Sequence, residues 1–344
     1  MKTKQEKSRA NPGILRRLFA QREMSVFLII LLVVAIAVVV NPKFMQLSNI
    51  KSIAISVAAD GLLSIGLTLA LILGGIELSV GGVAAMTCVI AGDLALKGVN
   101  VWLACLAAIV AGGLCGFFNG VMVSKVGLPP FIVTLSMMNL SRGVAFIITT
   151  GSPLSVSGTL PDSFRFLATG SVLGIPMLFF IFFVVTVIFY ILMKKSNACR
   201  NIYYVGSNEN AAKLSGINVD KVKIWVYVVI ALLSSLVGIL SLARFNVATP
   251  ELSRGAETTA ISAAVIGGTS MTGGVGGIIG TFLGIFLLKI VDSALVMMDI
   301  SVYWQDFVQG AILVIAVTID YMSHRNSGNS FLHRVVGIKR PIRS

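Results

Sequence analysis

The sequence predicts an all-α, polytopic membrane protein of about ten transmembrane helices, with some segments broken at glycines. Three observations carry that fold class. Of 344 residues, 56% are hydrophobic and 12% charged, against about 45–50% and about 25% in soluble domains. Apolar runs of roughly 20 residues, the length an α-helix needs to cross a bilayer, recur along nearly the whole chain. The basic residues lie in clusters between and beyond those runs: seven in 1–23, six in 194–223 and five in 324–344, together 18 of the 27 Lys and Arg.

The runs follow in order. The first, 24–40, comes after a basic stretch, as a signal peptide would, but Asn41-Pro42-Lys43 stands where a small-residue cleavage site belongs. It is therefore expected to be an uncleaved helix. The second, 52–73, carries Asp60 and ends on Gly74-Gly75; the third, 80–96, opens out of GGIELSVGG at 74–82. The fourth, 101–124, contains Asn119, and the fifth, 130–150, contains Thr134, Ser136, Asn139 and Arg142. The sixth, 171–193, stops at Lys194-Lys195. The seventh is 223–243, and the eighth, 257–271, runs into Gly267-Gly268. The ninth, 276–297, holds Lys289 and Asp292, and the tenth, 301–322, holds Asp306 and Gln309. The third and eighth are short and glycine-flanked, so eight full spans with broken or re-entrant pieces is the alternative count.

Loops rich in Lys and Arg stay on the cytoplasmic side. Six crossings bring the chain back inside at Lys194 and four more return the C-terminus, so both termini are expected in the cytoplasm and the protein in the cytoplasmic (inner) membrane. This divides the chain into a basic tail (1–23), a transmembrane domain (24–322) with a cytoplasmic loop at 194–223, and a second basic tail (323–344). The net charge of +13 belongs to these segments rather than to a nucleic-acid-binding face.

Two glycine-broken passages resemble each other, LILGGIELSVGGVAAMTCVIAG at 71–92 and AVIGGTSMTGGVGGIIGTFLG at 264–284. Each has a Gly-Gly pair, a short polar insert, a second Gly-Gly pair followed by valine, and an apolar run. Close helix packing through small residues is one reading. The other is a duplicated helix break, the sequence feature that points best to a transport path, because freed backbone groups are tolerated at membrane depth only against protein or a water-filled cavity.

The loop at 194–223 contains NENAAKLSGI, with Asn208 placed to cap a short helix through Leu214 and Gly216 placed to stop it. So short a helix needs a partner. Its alternatives are a docking element, favoured by Ala211, Ala212, Leu214 and Ile217 on a wet surface, and a solvated basic loop drawn to anionic lipid.

Several chemistries are missing. No G-x-x-x-x-G-K-[ST] occurs, so any use of ATP is expected in another subunit. The two histidines, His324 and His333, lie in the C-terminal tail, which leaves no Ser/His/Asp set and no H-E-x-x-H; an enzyme is not expected. Cys88, Cys105, Cys115 and Cys199 have no C-x-x-C spacing and read as small apolar fillers rather than metal ligands.

Ionisable residues inside apolar runs are functional hypotheses by default. Here they are Asp60, Glu77, Asp93, Arg142, Lys289, Asp292 and Asp306. Asp93, Lys289 and Asp306 are expected near span ends, and Lys289 and Asp292, three apart, form a candidate helix pair. Glu77, between Gly74-Gly75 and Ser79, suits capping of the next half-helix at least as well as contact with substrate. The polar side chains of Asn119, Thr134, Ser136, Asn139 and Gln309 suit a neutral polyol or helix-to-helix glue. The candidate residues of a path or helix break are Asp60, Gly74, Gly75, Glu77, Ser79, Asn119, Thr134, Asn139, Arg142, Gly267 and Gly268.

Taken with PKFMQLSNIKSI (42–53), NGVMVSKVGLPPFIVTLSMMNLSRG (119–143), YYVGSNENAAKLSGI (203–217) and ISAAVIGGTSMTGGVGG (261–277), the run GGIELSVGG makes the chain resemble the permeases of ribose-type ABC importers. The resemblance implies a homodimer or pseudo-dimer of permeases, two cytoplasmic ATP-binding subunits, and an extracytoplasmic sugar-binding protein. It implies that the loop from Gly206 to Gly216 is a coupling helix gripped by the ATPase at Asn208, Glu209, Ala212, Leu214 and Gly216. It further implies import of a monosaccharide such as ribose, with ATP used by the partner. Glu77 departs from the aspartate usual in that family, which puts tight capping geometry there in question. An ion-coupled secondary transporter using Asp60 or Glu77 is the competing reading, and it leaves the docking-like loop without a role.

Overall fold

Asn41 and Pro42 end the first helix where the sequence places its limit. In the computed structural model, which describes residues 22–318 except 302 and 306, α1 spans Arg22–Val40. A 3-10 turn, Pro42–Met45, follows, with the Asn41 side chain accepting a hydrogen bond from the Lys43 N–H. Residues 1–21 and 319–344, with His324 and His333, and Asp306 lie outside the described residues.

The next helix, α2 (Leu47–Ile72), is 26 residues long and forms the middle of the molecule. Every residue from Gly61 to Ile72 is buried. An apolar helix buried all round must be surrounded by others, and α2 is: it packs against α7 (Met177–Lys195), α10 (Val219–Phe245), α11 (Ala256–Ile266) and α12 (Ile278–Met297). On one flank α10 meets α3 (Val80–Leu96) and α4 (Val101–Val121), and α5 (Pro130–Thr149) closes over α3. On the other flank α1 lies along α12. The Asn41 amide donates to the Met297 carbonyl at 2.9 Å, which ties the two ends. Residues 307–318 form α13, the last helix among the described residues.

Seven of these helices are long and apolar enough to cross a membrane: α1, α2, α4 with its π-helical extension to Val126, α5, α7, α10 and α12. At 1.5 Å per residue, the 17 residues of α3 and the 11 of α11 fall short of about 30 Å of hydrocarbon. The glycine segment at 73–79 leads into α3 and that at 267–277 follows α11. The outward sides of α1, α5 and α7 expose rows of Leu, Ile and Phe, among them Leu32, Ile132, Ile147, Phe183 and Ile188. Such faces belong in lipid or against another chain.

Four details differ from the sequence expectation. The eighth run stops at Ile266, not 271, because Gly267-Gly268 turns the chain, with Gly268 at φ 92°. The sixth helix starts at Met177, since residues 171–176 form a hairpin of β2 (Ser171–Val172) and β3 (Ile175–Pro176). Residues 150–176 are a second long connection, with β1 (Leu154–Ser155) paired antiparallel to β4 (Val247–Ala248). It also contains α6 (Asp162–Thr169), whose Phe164 packs edge-on against Trp102. The loop at 194–223 holds two helices rather than one, α8 (Asn197–Ser207) and α9 (Glu209–Leu214).

Candidate functional site

The first break begins where α2 runs out. Gly74 adopts φ 81°, and the Gly75 N–H bonds back to the Ala70 carbonyl at 2.9 Å, the left-handed ending that glycine allows. The chain then runs without helix to Ser79. Glu77, 2% exposed, accepts hydrogen bonds on Oε1 from both the N–H and the hydroxyl of Ser79, each 2.5 Å. Its other oxygen accepts from the Asn119 amide at 3.3 Å, and that amide also donates to Ser79 Oγ at 3.2 Å. Thr134 donates to the Ile76 carbonyl at 3.1 Å. Among the described residues no cation pairs with Glu77. Its carboxylate is held by hydrogen bonds alone at the start of α3, where the helix dipole favours negative charge.

The second break, 267–277, has no carboxylate. The Ser270 N–H donates to the Val275 carbonyl at 3.0 Å, the Ser270 and Thr272 hydroxyls lie 2.9 Å apart, and Gly268, Gly273, Gly274 and Gly276 all take positive φ. The two breaks touch. The Gly274 N–H donates to the carbonyl of Ile72, the last residue of α2, at 2.8 Å. The Tyr203 hydroxyl of α8 donates to the Gly276 carbonyl at 3.0 Å. Gly206 fits between them: a Cβ there would stand 1.8 Å from the Ile72 oxygen and 2.9 Å from the Gly274 nitrogen. Gly206 thus packs against the breaks.

Beyond it, Asn208 caps α9 by accepting from the Ala211 N–H at 3.0 Å, and Gly216, at φ 81°, ends it with its N–H on the Lys213 carbonyl. Glu209 bonds to both Lys213 and Lys223 at 2.8 Å, which fastens α9 to α10. The Lys213 and Lys223 hydrogen bonds hold the Glu209 carboxyl below its ordinary range, and Glu209 in turn raises Lys213. Leu214 is 91% exposed, whereas Ala212 is 3% exposed. Ala212 thus faces inward and anchors α9, leaving Leu214 as the apolar tip.

The remaining candidates separate. Asp60 pairs with Lys289 at 2.7 Å, and Lys289 also reaches Asp292 at 3.2 Å. Lys289 does not sit at a span end as expected; it is the twelfth of the 20 residues of α12 and half-buried. The Gln309 amide donates to Asp292 at 3.1 Å and accepts from Thr259 at 2.8 Å, so one network joins α2, α11, α12 and α13. Arg142 donates to the Pro250 carbonyl at 2.6 Å and holds the loop before α11. Asn139 stands on the exposed face of α5 and makes none of the hydrogen bonds that shape the breaks. The structure thus gathers Gly74, Gly75, Glu77, Ser79, Asn119 and Thr134 at the first break and Gly267 and Gly268 at the second.

Sequence reasoning missed Tyr203, Tyr227 and the link between Asp60 and Lys289. The three-residue spacing of Lys289 and Asp292 was the one local signal for that network; a pairing 229 positions apart has none.

Residues 49–317 match the family model described as branched-chain amino acid transport system / permease component. The chain is 36% identical over 299 residues to the ribose import permease protein of Escherichia coli (strain K12), covering 87% of this chain and 93% of that one. It is 32% identical over 313 residues to an L-arabinose ABC transporter permease protein of Azospirillum brasilense, covering 91% of each. To the D-allose transport system permease protein of Escherichia coli (strain K12) it is 34% identical, covering 86% and 90%. A metal-chelate type ABC transporter solved in an inward-facing conformation shares the fold at TM-score 0.50 and 14% identity, over 86% of this chain and 98% of that one.

Proposed function

The chain belongs to the branched-chain amino acid transport system / permease component family, and from that membership we propose that it is the membrane-spanning permease subunit of an ATP-binding-cassette importer for a monosaccharide such as ribose or a related sugar. The observation that carries the sugar is that relatives matched over about nine tenths of the chain are named as ribose, arabinose and allose permeases. The protein is a multi-pass inner-membrane protein, with both termini and α8 and α9 on the cytoplasmic side, as the distribution of Lys and Arg indicates.

The work of the subunit is mechanical. Two ATP-binding subunits take up and hydrolyse ATP, a second copy of this chain completes the permease, and an extracytoplasmic sugar-binding protein delivers the substrate. The ATPase meets α9 at the exposed Leu214, with Asn208, Glu209 and Gly216 holding the shape of that tip. From there force has two routes inward. The ion pairs of Glu209 lead into α10 through Lys223, and α8 leads through Gly206 and Tyr203 into both breaks at once. When the ATPases close, these routes tilt α2, α3, α11 and α12 about their glycine junctions and alternate the access of the path. Glu77 keeps the first junction in shape rather than touching sugar.

Uptake of labelled ribose into proteoliposomes tests this. Accumulation is expected only with the ATPase subunits, internal ATP and the binding protein present. Accumulation driven by a proton or sodium gradient with this chain alone would overturn the reading.

A further inference from the structure

A cavity of about 510 Å³ opens beside α9, between the first break, the connection from α4 to α5, and the start of α10. That volume is within the range of small-molecule sites, roughly 300–1,000 Å³. Unlike the apolar crevice lined by Val34, Phe44 and Phe286, its wall is polar. Tyr227 of α10, 1% exposed, lines it, and the Tyr227 hydroxyl has no hydrogen-bond partner. The buried Ser124 hydroxyl, also in the wall, has none either. Two buried hydroxyls without partners are costly to the fold unless something polar enters to meet them. Gly75 keeps the space open, because a Cβ there would lie 2.8 Å from the Tyr227 oxygen.

The mouth carries charge. Lys213 and Lys223 both reach Glu209, and the Asp220 carboxylate also acts on Lys213, so the two ammonium groups form the cationic side of a mixed rim. The 20-residue α5 starts in the same wall, but Pro129 and Pro130 carry no N–H, and the Ile132 and Val133 N–H groups already bond to the Pro129 carbonyl, so the two lysines supply the cationic side. Deep hydroxyls and a rim that is cationic on one side together describe a ligand with hydroxyls at one end and an anionic group at the other.

We propose that this cavity binds a phosphorylated monosaccharide from the cytoplasm, its hydroxyls against Tyr227 and Ser124 and its phosphate against Lys213 and Lys223. This deepens the importer reading and rests on it for the membrane face and for the sugar class. Phosphorylation of an imported monosaccharide is the class of reaction that yields such a ligand, and occupancy beside the first break would signal accumulated product to the permease.

The test is thermal unfolding of the full-length chain in nanodiscs, where both faces are open and no transport is required, so its outcome is separate from that of the uptake experiment. Ribose 5-phosphate at millimolar concentration is expected to raise the melting temperature saturably, with ribose and inorganic phosphate each weaker. Tyr227→Phe keeps the ring and its packing and is expected to weaken binding about tenfold, the loss of one buried hydrogen bond. Lys223→Gln is expected to remove the preference for the phosphorylated sugar over ribose. No saturable shift, an unchanged affinity in a folded Tyr227→Phe, or equal protection by inorganic phosphate would each overturn the proposal.

Discussion

The two glycine breaks solve one problem by different means. At 73–79 a buried carboxylate organises the turn: Glu77 gathers Ser79 and Asn119, and a single glycine, Gly74, takes positive φ. At 267–277 the backbone carries more of the turn, with four glycines at positive φ, a hydroxyl pair and the Tyr203 hydroxyl on the Gly276 carbonyl. A turn held by a side chain can be altered by changing hydrogen bonding, and one held by glycine conformation only by adding atoms. The first break is thus the adjustable one and the second the rigid one, and Gly206 is the point at which both are felt.

Gly206→Ala should have the largest effect, because its Cβ would strike backbone from both breaks, and backbone cannot rotate aside. Overpacking of this kind costs about 1–3 kcal/mol or more. Loss of ATP-driven uptake together with a lowered melting temperature is the expected result. Wild-type uptake by this variant would show that the breaks move independently of α8. Next comes Gly274→Ala, where φ is 74° and an L-residue is penalised by roughly 1–2 kcal/mol. Its added methyl would also meet the Ser207 backbone, with Cα at 2.9 Å. The rigid break is predicted to give no intermediate behaviour, so stability and uptake should fall together.

Glu77 gives the contrast. Glu77→Gln removes an acceptor from a buried network, which costs about 1–3 kcal/mol, and should lower uptake strongly. Glu77→Asp keeps the charge and can still cap Ser79, but gives up the reach to Asn119, so a smaller loss is expected. Equal loss in both variants, measured by uptake and thermal unfolding, would show that fit rather than charge holds the first break, and the distinction between the two breaks would narrow.

Much of this was legible in the sequence for a physical reason: lipid imposes a strict rule on apolar length, so helices such as 130–150 and 276–297 announce their own limits. Asn208 and Gly216 were legible because caps act within one turn. The partial echo between 71–92 and 264–284 marked both breaks. Hidden was which atoms would meet. Nothing near Gly206 in the chain says that it faces Ile72 and Gly274, and nothing near Ala212 says that it turns inward while Leu214 turns out. Lys289 looked like a residue near a span end because its partner Asp60 comes from another helix. Pairings across a bundle depend on helix rotation, which apolar periodicity leaves undetermined when a helix is buried on every side.

The smallest expected effect lies outside both breaks, in the ion pairs that fasten α9. Glu209 is half exposed, so its bonds to Lys213 and Lys223 are screened by water and salt and contribute little to global stability. Because the folded-state pKa of Glu209 is held below its ordinary value of 4.5, its contribution is complete above that value and is lost as pH falls through the lower, folded one. Between pH 6 and 8 the hold on α9 should therefore be constant. Amide hydrogen exchange across residues 209–217 is the direct measurement. Glu209→Gln should speed it only a few-fold and leave exchange at both breaks unchanged, since α8, not α9, touches them. Faster exchange at 73–79 in that variant would mean that the force reaches the first break through α10 and Tyr227 rather than through Gly206, and the adjustable break would then be driven separately from the rigid one.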